Sequence, residues 1–404
     1  MTIARPTSVA LLLAGALVTA SEAQQGSGQM VISSDEELAA LAETLLPDLA
    51  ERSGLVLRAP VRLERRSRAH LIAYLESKLD EELPPDEARA VVDAYALLGL
   101  VPPDLDLRAV LLGLYTEQIA GFYEPDSTAL FVLDDQAQGD IEALLVHELV
   151  HAIQDQNADL AALTGPDVGS DRATAAQAAI EGHATLVMME FMTEQMVGMP
   201  LDLALLPDLA SQLRPAVEAM RSQFPALAEA PRIIQESLLF PYLEGAAFVQ
   251  TLWSDGERVA PFGDYMPGST EQVMNGSLAD PPVEVTFDVR GGRVVDDDVL
   301  GRLAIGILLD EHVGTSARGI ADGWEGDRYA LVELPDGTRG LIWYVLWEDA
   351  PSRDRFADAL DGALSQLGAA ATLERTEAAG SPATVLRVGR VGDITVGVRV
   401  TDDS

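Results

Sequence analysis

Cysteine is absent from this chain, and its absence removes several chemistries at once. Disulfides, a thiol nucleophile, iron–sulfur clusters and Cys-ligated zinc are all excluded, so any metal must rest on histidine and carboxylates. Lysine is almost missing too: Lys78 is the only one, and every other basic residue is arginine. Basic charge as a whole is scarce. There are 27 Lys and Arg against 65 Asp and Glu, a formal net charge of −38 over 404 residues. Such a chain repels phosphate backbones and anionic headgroups, which argues against nucleic acid as a partner. No Gly-rich phosphate loop and no G-x-S-x-G elbow is present. Histidine is limited to five positions: His70, His147, His151, His183 and His312.

What remains is enough to build an interior. Hydrophobic residues make up 48% of the chain, which rules out wholesale disorder despite the charge. The length suits one large domain or two. An apolar run from Val9 to Val18 follows the lone charge of Arg5 and precedes small residues at Val18-Thr19-Ala20 and Ser21-Glu22-Ala23. It is shorter than the ~20 residues a spanning helix needs. Residues 1–23 therefore read as a signal peptide, and the protein is expected to be exported, to the periplasm or beyond. No stable membrane insertion is expected once that segment is cleaved.

The periodicity predicts an α+β chain. Helices are expected over residues 35–52, from Ser67, from Pro85 to Gly99 and over 106–117, with a short strand at Val61–Arg65. Ile119–Glu124 and Ala129–Leu133 are strand-like and joined by Pro125-Asp126-Ser127-Thr128, a hairpin signal. Helices follow over Ile141–Gln156 and Arg172–Met192, with further helical segments to Trp253. Composition shifts near Asp280-Pro281-Pro282, so residues 24–284 are read as one domain and 285–404 as a separate C-terminal α+β unit. In that unit Trp343 and Trp347 should share one side of a strand and pack on the Phe356–Leu360–Leu364 face of the next helix, with Tyr344 opposite. Asp296-Asp297-Asp298 and Asp134-Asp135 have no spacing suited to calcium and read as solvated turns.

The sharpest feature is His147-Glu148-Leu149-Val150-His151, inside a segment that apolar spacing already makes a helix. Two histidines four apart lie on one helix face and can take two corners of a zinc tetrahedron. Glu148 cannot ligate beside both, but can act as general base on a water. A third ligand is needed. The pattern with a third histidine further along fails, because Gln154 and Asn157 stand where Gly and His would be. Glu181 and His183 lie on the next predicted helix, two apart, so only one can face a metal. Glu181 is preferred, since Thr174, Gln177 and Thr185 form a polar stripe around it; His183, Glu244 and Asp171 are the other candidates.

His147 to His151 with a downstream Glu181 resembles the gluzincin zinc metallopeptidases. The flanking text resembles an uncharacterised bacterial family of exported zinc peptidases. It includes Gly-Phe-Tyr-Glu before the motif and Gln154-Asp155-Gln156 after it. It also includes Glu-Gly-His-Ala, Pro241-Tyr242-Leu243-Glu244-Gly245 and Ser-Thr-Glu-Gln. The resemblance spans about residues 60–350, and only the H-E-x-x-H segment is mechanistically specific. It implies a mainly helical zincin-like core, one Zn2+ on His147, His151 and Glu181, and a peptide or protein substrate. It also implies an edge hairpin, here Phe122-Tyr123 with Leu130-Phe131-Val132, against which an extended peptide could lie. An oxyanion donor is expected, with Tyr242 the first candidate and Tyr123 and His183 behind it. One departure stands out. Many gluzincins carry an Asp four residues after the ligand Glu, to support a ligand histidine; here that position is Thr185. The expected function is zinc-dependent peptide hydrolysis, and the alternative is a noncatalytic binding or assembly protein on the same scaffold.

Overall fold

The computed structural model describes residues 29–401, apart from positions 126, 138, 140, 166, 200–201, 208, 216–223, 368–369 and 393. The expected signal segment lies outside these residues. Among them, no helix is long and apolar enough to cross a membrane.

The chain is a mixed α+β structure, as its two periodicities imply. A short strand β1 (Val31–Ile32) leads into helix α1 (Glu36–Ser53), whose first turn is capped by the Asp35 carboxylate accepting from the Glu37 and Leu38 N–H groups. Strand β2 (Val61–Arg66) is followed by α2 (Arg68–Glu82), α3 (Pro85–Leu97) and α4 (Leu107–Gln118). The hairpin comprises β3 (Gly121–Glu124) and β4 (Ala129–Leu133). It is not isolated. The sheet order is β1-β2-β4-β3, with β2 parallel to β4, so β4 is interior and β3 is the edge. Parallel neighbours far apart in sequence give no local turn signal, which is why the sequence showed only the hairpin.

Helix α5 (Ile141–Asp155) packs beneath this sheet, α6 (Leu160–Thr164) follows, and α7 (Ser170–Val197) crosses α5. Helix α7 extends past both expected ends. Its start is hidden in the sequence because the Ser170 N–H is satisfied by Asp298, 128 residues away. The longest contact of α7 is with the helix Arg232–Leu252.

Beyond the helix Thr270–Asn275, strands β5 (Glu284–Arg290) and β11 (Thr395–Thr401) pair with each other. Strands β6 (Arg293–Asp298), β7 (Trp324–Glu333), β8 (Arg339–Trp347), β9 (Thr372–Ala378) and β10 (Ser381–Val388) form a five-stranded antiparallel sheet in the order β6-β7-β8-β10-β9. The aromatic expectation holds here. Trp343 and Trp347 are fully buried with ring centroids 5.9 and 4.7 Å from Phe356 on the helix Ala350–Asp361, and Tyr344 meets Phe287 on the other face.

The reading of Asp296–Asp298 as a solvated turn is overturned. These residues belong to β6, and Asp298 is buried because it caps α7. One apolar core also runs through the chain, joining Leu149 of α5 to Leu303, Trp343 and Phe356.

Candidate metal centre

Helix α5 forms because Leu145, Leu149 and Ile153 supply a buried stripe, and that stripe fixes where the motif points. His147 and His151 leave it on one face, with imidazole centroids 4.7 Å apart and planes nearly perpendicular at 86°. Helix α7 brings Glu181 to the same place. His147 Nε2 lies 3.1 Å from Glu181 Oε2 and 3.1 Å from His151 Nε2, and His151 Nε2 lies 3.4 Å from Glu181 Oε2. These residues are the one group of three or more His, Asp or Glu with ligand atoms close enough for a single ion, among the described residues.

The donor set fits zinc. A tetrahedron with bonds of about 2.0–2.1 Å has edges of about 3.3 Å. The triangle of two nitrogens and one oxygen has edges of 3.1, 3.1 and 3.4 Å. All three atoms are acceptors when the imidazoles are neutral and the carboxyl is ionised, so they repel one another unless a cation or a proton joins them. In the metal-free protein a proton does. Burial opposes a charge on His151, but Glu181 outweighs it and raises the imidazole to about 9. Burial likewise pushes Glu181 up, and the two imidazoles more than reverse this, holding its carboxyl well below the usual range.

Glu148 is buried beside the triangle. Its Oε2 accepts the Tyr123 N–H of the edge strand at 2.9 Å. Burial raises its pKa, against the pull of His151 and His147. Tyr242 arrives from the Arg232–Leu252 helix, its ring 6.4 Å from that of His147 and its hydroxyl hydrogen-bonded to Glu181. Burial, then Glu181 and Glu148, push the phenol well above its ordinary value, so it keeps its proton as a donor. This approach depends on glycine. A Cβ on Gly182 would lie 2.1 Å from the Gly245 backbone, and one on Gly245 would lie 2.0 Å from the Ala178 carbonyl oxygen. Only glycine at both positions lets the two helices come this close.

Among the other expected candidates, Asp171 accepts from Thr270 at the far end of α7, and Glu244 pairs with Arg214 at 3.3 Å. Tyr123 turns its hydroxyl to Asp155 at 2.9 Å, which ties the edge strand to the motif helix. His183 faces away from the triangle. Its Nε2 meets the Ser53 carbonyl at 3.1 Å, and burial lowers the imidazole to about 3. Of the polar stripe, the Gln177 amide and the Thr185 hydroxyl are buried with no side-chain partner among the described residues.

Gln154 is the residue that sequence reasoning missed. Its Oε1 lies 2.8 Å from His151 Nδ1, and its Nε2 meets both the Ile180 carbonyl and His183 Nδ1 at 3.0 Å. Its position one turn after His151 was the available signal, though it served only to exclude a third-histidine motif and as part of the flanking text of the resemblance. The residues after it lock the neighbouring loop: Gln156 Oε1 accepts from the Arg58 and Ala59 N–H groups, and Asn157 donates to the Val56 carbonyl.

Among known families, one described as a domain of unknown function (DUF8575) matches residues 288–403. That span lies C-terminal to His147, Glu148, His151, Glu181 and Tyr242. No curated protein and no solved structure matches the chain.

Proposed function

We propose that this protein is a zinc-dependent peptidase with a zincin-like core, of the gluzincin kind. The observation that carries the reading is the acceptor triangle of His147, His151 and Glu181, with a buried carboxylate, Glu148, next to it. His147 Nε2, His151 Nε2 and Glu181 Oε2 would hold the ion. A zinc ion there supplies Lewis acidity toward a scissile carbonyl and makes water more acidic.

The chain's own groups do the rest. Glu148 takes the proton from the attacking water and returns it to the leaving amine, and its burial-raised pKa suits both transfers. The Tyr123 N–H holds that carboxylate through Oε2, leaving Oε1 to meet the water. Tyr242 O–H donates to the carbonyl oxygen as negative charge grows on it. Strand β3, at the sheet edge beside α5, offers a register for an extended peptide. Export is part of the proposal, resting on the apolar run before Val18-Thr19-Ala20.

The test is a peptide-library digest by the purified protein and by Glu148→Gln, with zinc measured in both. Cleavage by the parent alone, with zinc in each, supports the reading. Zinc in both and cleavage by neither leaves a noncatalytic protein on the same scaffold.

A further inference from the structure

We propose that Gln154 and His183 are positioning residues: a buried hydrogen-bond chain from the Ser53 carbonyl to His151 selects the imidazole nitrogen offered to the metal. The inference rests on the metal centre proposed above.

Two backbone carbonyls, which can only accept, fix the polarity of the whole chain. Ser53 O lies 3.1 Å from His183 Nε2, so that nitrogen carries a hydrogen. Ile180 O lies 3.0 Å from Gln154 Nε2, so the amide cannot be flipped. The same Nε2 points a hydrogen at His183 Nδ1, 3.0 Å away, which must therefore present its lone pair. Gln154 Oε1 then faces His151 Nδ1 at 2.8 Å and requires a hydrogen there. With Nδ1 committed as a donor, His151 coordinates through Nε2, the atom already in the triangle.

The anchor at the far end is rigid. Ser53 ends α1 and is fully buried, and Gly54 after it has φ +66°. A Cβ on Gly54 would lie 2.0 Å from the Arg258 carbonyl oxygen, so only glycine fits between α1 and that segment. His183 is held edge-on against Trp253 and Phe262, with ring centroids 5.8 and 6.4 Å away. The chain also clamps the site, because one amide bonds both His151 on α5 and Ile180 on α7, adjacent to Glu181. His147 has no such support: its Nδ1 is buried without a partner among the described residues. The two ligand histidines are thus unequal, and His151 is the preset one.

Long-range proton–nitrogen correlation spectra of the full chain test the polarity, and zinc competition titrations test its consequence. His183 should be protonated at Nε2 alone, and in the zinc-loaded protein His151 should bind through Nε2 with a slowly exchanging Nδ1 hydrogen. Gln154→Met should weaken zinc binding about 10–100-fold, the range for outer partners of metal ligands. His183→Leu should weaken it about 10-fold, whereas His183→Gln should stay within about 3-fold, because its amide can accept from Gln154 and donate to Ser53. The His183 pair keeps the test decisive if Gln154→Met fails to fold. His183 protonated at Nδ1, His151 bound through Nδ1, or His183→Leu with parental zinc affinity would each overturn the chain. Zinc bound with the expected tautomers but no peptide cleaved overturns the peptidase reading and leaves the chain standing. A protein that takes up no zinc overturns both.

Discussion

Two places on helix α7 bury carboxylates deeply, and they satisfy them in opposite ways. At its N-terminal end the carboxylates face donors. Asp298 accepts from the Ser170 and Val299 N–H groups, and Asp171 accepts from the Thr270 N–H and hydroxyl. Asp327 accepts from the Leu300 and Gly301 N–H groups and from the indoles of Trp324 and Trp343. Further along the helix, Glu181 faces two imidazole nitrogens, whose lone pairs converge with its own once the bridging proton has left. Acids ringed by N–H groups close a joint between elements. An acid whose oxygen converges with two imidazole nitrogens is a candidate cation site, even with the Tyr242 hydroxyl also reaching it. Counting buried Asp and Glu would not tell these apart; the sign of each neighbour does.

The largest effects should come from the acceptor site. His151→Ala should strip zinc, and Glu148→Gln should keep it while lowering hydrolysis by about 10²–10⁴-fold, the usual contribution of a positioned base. Metal analysis beside a fluorogenic peptide assay reads both. Zinc retained by His151→Ala would dissolve the distinction between the two regions.

The next effect is on metal affinity and pH. In the metal-free protein Glu181 holds His151 up to about 9 against the effect of burial, and that proton must leave before zinc binds. Zinc affinity should therefore rise by up to about tenfold per pH unit below pH 9 and level off above it. Competition titrations from pH 6 to 9 check the slope, and a flat profile would mean that no ligand proton is displaced.

At the donor-ringed joint the effect is on stability and not on metal. Asp171→Ala removes acceptors from Thr270 and should cost about 1–3 kcal/mol in denaturant unfolding. Zinc content should be unchanged, and a matching loss of zinc would tie the two regions together.

The same joint should also show a pH dependence. Burial pushes Asp171 up to about 7 and Asp327 up to about 6. Folded protein therefore holds protons that the unfolded chain sheds above its ordinary value near 3.9. The contribution of these groups to stability is greatest below about pH 4, falls as pH climbs toward about 7 and is flat beyond. Each contributes a slope of at most about 1.4 kcal/mol per pH unit. Urea unfolding of Asp171→Asn across pH 4 to 8 should show a shallower fall than the parent protein; an identical fall would rule out ionisation of Asp171 as a cause.

The acceptor site was more legible in the sequence than the joint, and the reason is range. His147, Glu148 and His151 announce themselves because a helix converts a spacing of four into a shared face. Glu181 follows from the next helix and its polar stripe. Gln154 was visible, but its partners Ile180 and His183 lie on another helix and the chain ends on Ser53, 130 residues from His183. Tyr242 reaches the site only because Gly182 and Gly245 let two helices touch, a fact about packing that no local pattern records. The joint is harder still. Asp298 looks like one of three acids in a turn, and only the start of α7, brought to it by the tertiary fold, makes it a cap.

X-ray absorption at the zinc edge of the loaded protein tests the contrast most directly. Expected is one zinc per chain with two imidazole nitrogens and oxygen ligands at about 2.0–2.2 Å. A shell of oxygen alone, surviving in His151→Ala, would place the cation among carboxylates elsewhere and contradict the assignment of His147, His151 and Glu181.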